Sequence, residues 1–401
     1  MLIGQQQDGF DIAIKATKPI TSIGGFAGTG KSFLLAELAK AMKADVLTPT
    51  HKAATVLRDR GVRNARTLHS VLYAMSEYAV YELPDGKKVE MSFRDEAPPG
   101  SRLVSSKMVA SKRDEASGDA EIALVDEGSM LSPAHVQDLL DVYKRLVILG
   151  DPFQLPPVKA QDFFGQLKHD VFLTEVHRTA MENPITAYAT KLRTDGVLSQ
   201  PPACKEIVCL GARRAGLFKR LAETNTQSIV WTNRLRHSVN SNIRKELGFP
   251  EDQLVPGDKL MVLSNVRRSD EDGKPVLRFY NGQEVESDCT RGAVDIHSTK
   301  VVQLKGDDAC TVWPFWTPGF WAKREHFEWL NSIKDIKPKG ADMDYRYAMT
   351  AHKSQGSEWP LVGVWMQHNA MQRALGPRGA LRWFYTAITR AREKLVLVET
   401  E

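Results

Sequence analysis

Gly25-Phe26-Ala27-Gly28-Thr29-Gly30-Lys31-Ser32 fits the pattern GxxxxGK[ST] at every position, and its surroundings decide the fold. Before it runs the apolar stretch Ile20–Ile23. After it, Phe33–Met42 (FLLAELAKAM) combines strong helix formers with apolar residues at helical spacing. A strand feeding a glycine-rich turn that opens a helix is the context a phosphate-binding loop requires. Glycine lets backbone N–H groups turn inward around an anion, and the helix N-terminus adds partial positive charge. On this reading Gly25, Ala27, Gly28, Thr29 and Gly30 form the cradle, Lys31 reaches the β- and γ-phosphates, and the Ser32 hydroxyl ligates Mg²⁺.

Further along, Val46–Thr48, Ile122–Val125 and Leu146–Leu149 are short apolar runs, each followed by polar or glycine-rich residues. Strand–helix–strand repetition predicts a parallel sheet covered by helices, with ligands at the carboxyl ends of its strands. Asp126-Glu127 stands at one such end. Asp126 can hold Mg²⁺ from the side opposite Ser32, and Glu127 can orient or deprotonate an attacking water. Gln154, in the turn Leu149–Pro157, offers a neutral amide to a γ-phosphate. Together these residues predict hydrolysis of a nucleoside triphosphate, because a fold that only binds nucleotide has no need of the second carboxylate.

A second α/β region follows, with buried strands predicted at Ser228–Trp231, Leu361–Trp365 and Leu395–Val398. Between Val255 and Asp344 the pattern changes. Pro256–Leu263 and Phe279–Val285 read as short antiparallel strands of a small β-barrel. A charged, Pro- and Gly-rich interruption divides the first region, and within it Ser101–Arg113 carries four basic residues and no acidic one. The predicted plan is α/β: two lobes, each with an insertion. The first lobe spans 1–170 with an insertion at 75–119, and the second spans 171–254 and 345–401 with an insertion at 255–344.

Composition sets the outer limits. Among 401 residues, 42% are apolar and 26% charged, the balance of a folded globular chain. The net charge of +5, from 54 basic and 49 acidic residues, is too small to prove a nucleic-acid partner. Cys204, Cys209, Cys289 and Cys310 form no CxxC pair and no zinc spacing. No run approaches the ~18–20 apolar residues that span a bilayer, and Met1-Leu2-Ile3-Gly4-Gln5 lacks the layout of a signal peptide. The expectation is a reduced, cytoplasmic protein with no membrane partner.

The ordered set of motifs resembles superfamily 1 helicases of the 1B branch, which contains RecD and the Dda-type phage helicases. Gly25–Ser32 resembles motif I, Thr48-Pro49-Thr50-His51-Lys52-Ala53-Ala54 motif Ia, and Thr67-Leu68-His69-Ser70 the next DNA-facing segment. Leu124–Met130 resembles motif II, Gly150–Pro157 motif III, and Leu173–Arg178 the motif with a first arginine finger. Val230–Asn233 resembles the entry to the second lobe, Ala348–Glu358 motif V and Phe384–Arg392 motif VI.

The resemblance implies two RecA-like lobes, ATP and Mg²⁺ as cofactors, and 5′-to-3′ translocation along single-stranded DNA with duplex unwinding in replication, recombination or repair. Arg178 and Arg390 become the arginine fingers, projecting from the second lobe. Such groups are worth ~10³–10⁵ in rate. Gln355, Gly356 and Glu358 join the nucleotide site and couple it to DNA, and Gln6, one of three consecutive glutamines, corresponds to the adenine-reading position. Thr48, Pro49, Thr50, His51, His69, Ser70, Thr350, His352 and Lys353 form the DNA side, with small polar, imidazole and basic groups suited to phosphate and sugar and hence to sequence-independent binding.

The first insertion corresponds to a β-hairpin wedge, with Phe93 as its tip aromatic. The second corresponds to an SH3-like piece whose arm, Trp316–Lys334, would touch the wedge. The chain has eight tryptophans; Trp313, Trp316, Trp321 and Trp329 are either base-stacking groups or core of that piece. The implied partners are single-stranded DNA, single/double-strand junctions, and replication or single-strand-binding proteins. A monomer is expected, in the cytoplasm of a bacterial host if phage-encoded. Two rivals share the motifs: a translocase or RNA helicase that does not unwind DNA, and a DNA-binding factor switched by nucleotide without turnover.

Overall fold

The computed structural model describes residues 2–92, 97–112, 120–158, 160–175, 183–250, 254–263, 265–269, 275–287, 294–296, 299–302, 310–312 and 343–400. In the first lobe the strands are β1 (Ile20–Gly25), β2 (Asp45–Thr48), β3 (Arg66–Thr67), β4 (Tyr73–Glu82), β5 (Lys88–Ser92), β6 (Arg102–Lys112), β7 (Ile122–Val125), β8 (Arg145–Gly150) and β9 (Val171–Leu173). Six of them form a parallel sheet in the order β3-β2-β7-β8-β1-β9. Its central strands are apolar and buried, as parallel strands covered on both faces must be. Helix Lys31–Ala41 packs Leu34, Leu35 and Leu38 against Ile23, Val46, Leu124 and Val147 on one face. Leu68, Val71, Tyr143 and Phe164 cover Leu47, Val125 and Ile148 on the other. Because β8 lies between β1 and β7, the phosphate loop and Asp126 flank the carboxyl end of β8, where Asp151 stands.

Two boundaries differ from expectation. Val171–Leu173, assigned to the second lobe by the boundary at 170, pairs in parallel with β1 and closes the first sheet. Three residues are too few to show a strand period, and pairing across the lobe decided where they went. The first insertion is a three-stranded antiparallel sheet, β5-β4-β6, in place of a two-stranded hairpin. It begins at Tyr73, with the β4–β5 turn at Leu83–Lys87. Phe93 lies outside the described residues.

The second lobe contributes β10 (Ile207–Gly211) and β11 (Gln227–Val230), then an insertion with β12 (Lys259–Val262), β13 (Val266–Ser269), β14 (Pro275–Phe279), β15 (Glu284–Glu286), β16 (Val294–Ile296), β17 (Thr299–Val302), β18 (Cys310–Val312) and β19 (Met343–Tyr345). It is completed by β20 (Ala348–Thr350), β21 (Trp359–Met366) and β22 (Ala391–Glu399). The parallel sheet runs β10-β22-β21-β11-β20. Trp231 falls just past β11. Within the insertion every described pairing is antiparallel. Trp313, Trp316, Trp321, Trp329 and the 316–334 arm lie outside the described residues.

Helix His368–Ile388 joins the lobes. It breaks at Gly376 (φ 69°), just before Pro377, and Ala380–Ile388 is buried throughout. Leu155, with Ala27 and Phe153 packed nearby, belongs to the same apolar cluster as Trp383, Phe384 and Tyr385, so loops of the first lobe complete the core of the second.

Candidate functional site

The phosphate loop has the backbone its sequence calls for. Gly28 and Gly30 stand at φ 81° and 78°, conformations that L side chains rarely adopt. A Cβ on Gly25 would come within 2.9 Å of Leu173 Cβ. Helix Lys31–Ala41 starts at Gly30 with no side-chain cap, so its first-turn N–H groups are not taken up by a capping side chain. Lys31 Nζ donates to Gly25 O and Phe26 O, each at 2.8 Å, which holds the ammonium inside the loop. Thr29 Oγ1 closes the turn by donating to Phe26 O at 2.8 Å. These features fit a triphosphate with Mg²⁺: a close-approach glycine loop, a helix N-terminus aimed at the anion, a confined lysine, and the half-buried Ser32 one residue on.

Asp126 follows β7 and is buried, with its Oδ1 accepting the Glu127 N–H at 2.9 Å. Burial raises its carboxyl above the usual range, against the pull of that N–H and of the Lys31 and Arg60 charges. Glu127 is pushed up to about 7, chiefly by burial and then by the Asp126 charge, while Arg390 and Lys31 oppose the shift. Its backbone stands at φ 54°, one of two described non-glycine residues with positive φ. That conformation costs roughly 1–2 kcal/mol.

Arg390 arrives from the second lobe. It is buried and held by Thr386 O (3.1 Å), Ser357 O (3.3 Å) and Thr389 Oγ1 (3.2 Å), close enough for its charge to act on Glu127. Arg178 lies outside the described residues. Gln154 is buried; its backbone oxygen accepts Arg382 Nε at 2.9 Å, while its side-chain Oε1 finds no partner among the described residues. Gln355 Nε2 donates to Leu155 O at 3.0 Å, tying motif V to motif III. Gly356 stands at φ 72° and packs on Ala53, where an added Cβ would make an ordinary 3.4 Å contact with Ala53 Cβ. Glu358 lines an interlobe cleft of about 310 Å³ with Ala27, Gly28, Thr389 and Arg392. Of the three glutamines, Gln6 is the one at the loop, donating Nε2 to Thr29 O at 3.0 Å. Gln5 instead binds the backbone of Thr174 and Glu175.

The proposed DNA side is less uniform. Thr48 has no exposed surface and spends its hydroxyl on Thr50 O at 2.7 Å, so it supports the turn and cannot touch a strand. Thr50 caps helix His51–Asp59 by accepting Ala53 N–H at 3.2 Å. Pro49, His51, Ser70, Thr350 and His352 are half-buried, and His69 and Lys353 are exposed. Ser70 donates to Thr67 O at 2.6 Å, and burial lowers the His352 pKa. His51 sits 5.9 Å, ring to ring, from Tyr280 of the insertion, and the neighbouring Lys52 bonds to Glu284 of β15.

Several contacts gave no sequence signal. Tyr385, inside the stretch that resembles motif VI but given no role there, reaches Ala27 and Asp151. The Arg193 guanidinium lies over the Phe26 ring, 3.0 Å from its centre. Arg382 pairs with Asp162 across the lobes. Asn183, Thr186 and Thr190 line the cleft from helix Pro184–Asp195. Each depends on how the lobes dock, which local pattern does not encode. Among the described residues there is no His/Cys/Asp/Glu group that could hold a metal by itself, and no helix long and apolar enough to cross a membrane.

Comparison with known proteins matches an AAA domain over residues 1–201 and a UvrD-like helicase C-terminal domain over residues 345–398. The chain is 27% identical over 392 residues to the ATP-dependent RecD2 DNA helicase of Deinococcus radiodurans, covering 92% of this chain and 45% of that relative. It thus spans under half the length of the curated relative it matches. Among solved structures, Pif1 helicases at forked double-stranded DNA share the fold with a TM-score of 0.54 and 17% identity, over 99% of this chain and 92% of theirs. Bacteroides Pif1 bound to single-stranded DNA does so at 0.52 and 16%, with the same coverage.

Proposed function

The chain belongs to the superfamily 1B helicases, carrying their AAA domain and UvrD-like C-terminal domain, and from that premise we propose that it is an ATP-dependent DNA helicase moving 5′ to 3′ along single strands and opening duplex ahead of it. The observation that carries the reading is the joint across the cleft: Glu127, beside Asp126 and Lys31 of one lobe, lies within reach of the Arg390 charge from the other, and the Tyr385 hydroxyl of the second lobe takes the Ala27 N–H of the phosphate loop. A site assembled from two lobes makes turnover depend on their closure, which a motor needs and a simple nucleotide switch does not.

ATP with Mg²⁺, when bound, supplies the phosphoanhydride whose hydrolysis drives the cycle. Lys31 and the loop amides would hold the phosphates, and Ser32 with Asp126 the metal. Glu127 would take the proton of the attacking water on a carboxylate oxygen. Gln154, buried and with its Oε1 finding no partner among the described residues, would offer its amide to the γ-phosphate. Arg390 would balance charge at the transferring group, and Arg178 is proposed for the same work. Gln355, bonded to motif III, would pass the state of the cleft to the 350–356 segment, where Thr350, His352 and Lys353 face the strand with Thr50, His51, His69 and Ser70. Adenine reading by Gln6, a wedge tipped by Phe93, sequence-independent binding, action as a monomer in the cytoplasm, and work in replication, recombination or repair belong to the same proposal.

The test is strand separation with ATP and Mg²⁺ on matched duplexes bearing a 5′ or a 3′ single-stranded tail, with Lys31→Ala as the inactive control. Unwinding from the 5′ tail alone is expected. Unwinding from the 3′ tail alone would keep the motor and overturn its direction. ATP turnover stimulated by single strands without any unwinding would favour the translocase.

A further inference from the structure

One side chain of the second lobe enters the phosphate loop itself. The Tyr385 hydroxyl accepts the Ala27 N–H at 3.2 Å and donates to Asp151 Oδ2 at 2.8 Å. Tyr385 is 2% exposed and Asp151 0%, so water replaces neither bond. Asp151 is fixed in turn, since its Oδ1 accepts the Phe153 N–H at 2.9 Å. The Phe153 ring meets the Tyr385 ring edge to face at 5.6 Å. Arg193 covers the other flank, its guanidinium over Phe26. At the next residue, Thr386 Oγ1 accepts the Leu155 N–H at 3.0 Å. The result is a chain of two hydrogen bonds from motif III, through a motif VI hydroxyl, to a loop amide. A buried carboxylate at one end makes the tyrosine oxygen a stronger acceptor for the amide at the other.

We propose that Tyr385 is a positioning residue that clasps the phosphate loop to the second lobe, so that the set of the loop and the docking of the lobe change together. The proposal rests on reading the cleft as an ATP site that communicates with single-stranded DNA. The amide that Tyr385 holds belongs to the loop proposed to carry the phosphates, and the helix bearing Tyr385 packs on the same β-sheet as the 350–356 segment. A shift of Ala27 therefore reaches the second lobe through this hydroxyl, beside the apolar packing around it. Coupling of this kind is reciprocal: a strand gripped by the second lobe must alter nucleotide affinity by the same factor.

Tyr385→Phe keeps the ring and removes the hydroxyl, leaving the Ala27 N–H and Asp151 Oδ2 unmatched. The measurement is the affinity of a fluorescently labelled oligodeoxythymidine with and without a non-hydrolysable ATP analogue and Mg²⁺, alongside the affinity of the analogue alone. Wild type should show the two ligands changing each other's affinity by roughly 10-fold, within the usual span of such coupling. In Tyr385→Phe the factor should fall toward 1, while each ligand alone binds within about 3-fold of wild type.

A coupling factor unchanged in the variant, or absent in wild type, overturns the clasp. So does a parallel loss of both affinities and of melting temperature, which would make the hydroxyl merely structural. Wild type that binds neither ligand overturns the functional reading beneath it. Should Tyr385→Phe fail to fold, Asp151→Asn weakens the same bridge by removing its charge. It should lower the coupling factor in the same direction, and an unchanged factor there also overturns the proposal.

Discussion

At the scale of single residues the proposed chemistry rests on Glu127 and Arg390, and each is held in a way that makes a distinct demand. Glu127 sits at φ 54° with its carboxyl pushed up to about 7. Glu127→Gln keeps the shape and removes the base, so ATP turnover should fall by ~10²–10⁴ while nucleotide still binds. A variant with wild-type steady-state turnover would assign the proton to another group. Arg390 spreads its guanidinium over three oxygens of its own lobe, a planar fork that an ammonium cannot copy. Arg390→Lys should therefore cost on the order of 10³ in turnover with nucleotide affinity little changed. Equal losses in affinity and turnover would make it a ground-state anchor. These residues were legible because each belongs to a loop fixed by the strand or helix beside it. Tyr385 and Arg193 were not, since a tyrosine among apolar helix residues and an arginine on a surface helix acquire partners only when two lobes meet. Thr48 was misread for the complementary reason: its hydroxyl has a turn to close before it can meet a ligand.

At the scale of elements, strand ends place the chemistry and caps fix the helices beneath it. The inner strands of the two parallel sheets, β1, β2, β7, β8, β11, β21 and β22, were readable as apolar runs, whereas their edge strands β3, β9, β10 and β20 were not. A short edge strand is defined by its neighbour more than by its own residues. Helix Pro133–Leu140, which packs under β7 and β8, offers a test of capping. Ser132 Oγ accepts the His135 N–H at 3.2 Å, and His135 Nδ1 accepts the Ser132 N–H at 3.4 Å. That second bond needs a neutral ring. Burial lowers the His135 pKa, against the attraction of Asp138, and the His69 ring lies 5.3 Å away. A histidine pKa lowered by folding means that the unfolded chain binds more protons, so stability is retained above about 6.5 and lost as pH falls through that value. Glutamine at this position can complete the same capping box without titrating. His135→Gln should match wild type in urea midpoint at pH 7.5 and exceed it at pH 5.5, by roughly 0.5–1 kcal/mol. Identical midpoints at both values would show that the ring bond contributes nothing.

For the whole molecule, two of the described contacts between the lobes bear on the proposed strand path. The inner contact is helix His368–Ile388 on the motif III loop. The outer one is Glu284 of the inserted sheet, which takes Lys52 from the first lobe on one oxygen and Arg346 on the other at 3.2 Å. Lys52 also lies over the Trp359 ring, 4.9 Å from its centre. None of this could be read from sequence, because Lys52 and Glu284 are joined only once the insertion folds back across the cleft. Removing the Glu284 charge separates two explanations by sign. If the carboxylate only lowers the potential near a DNA path, Glu284→Gln frees two cations for phosphates, so a bound oligodeoxythymidine should dissociate more slowly. If the triad latches the insertion over the strand, the same change should speed dissociation. Half-exposed ion pairs of this kind are worth at most about 1 kcal/mol, so the expected gain in off-rate is about 2- to 5-fold at low salt. It should shrink as salt screens the wild-type pair. Stopped-flow release of a labelled strand at two ionic strengths decides the matter, and the structure favours the latch, since Lys52 is already committed to Glu284 and Trp359 on the face that would have to open.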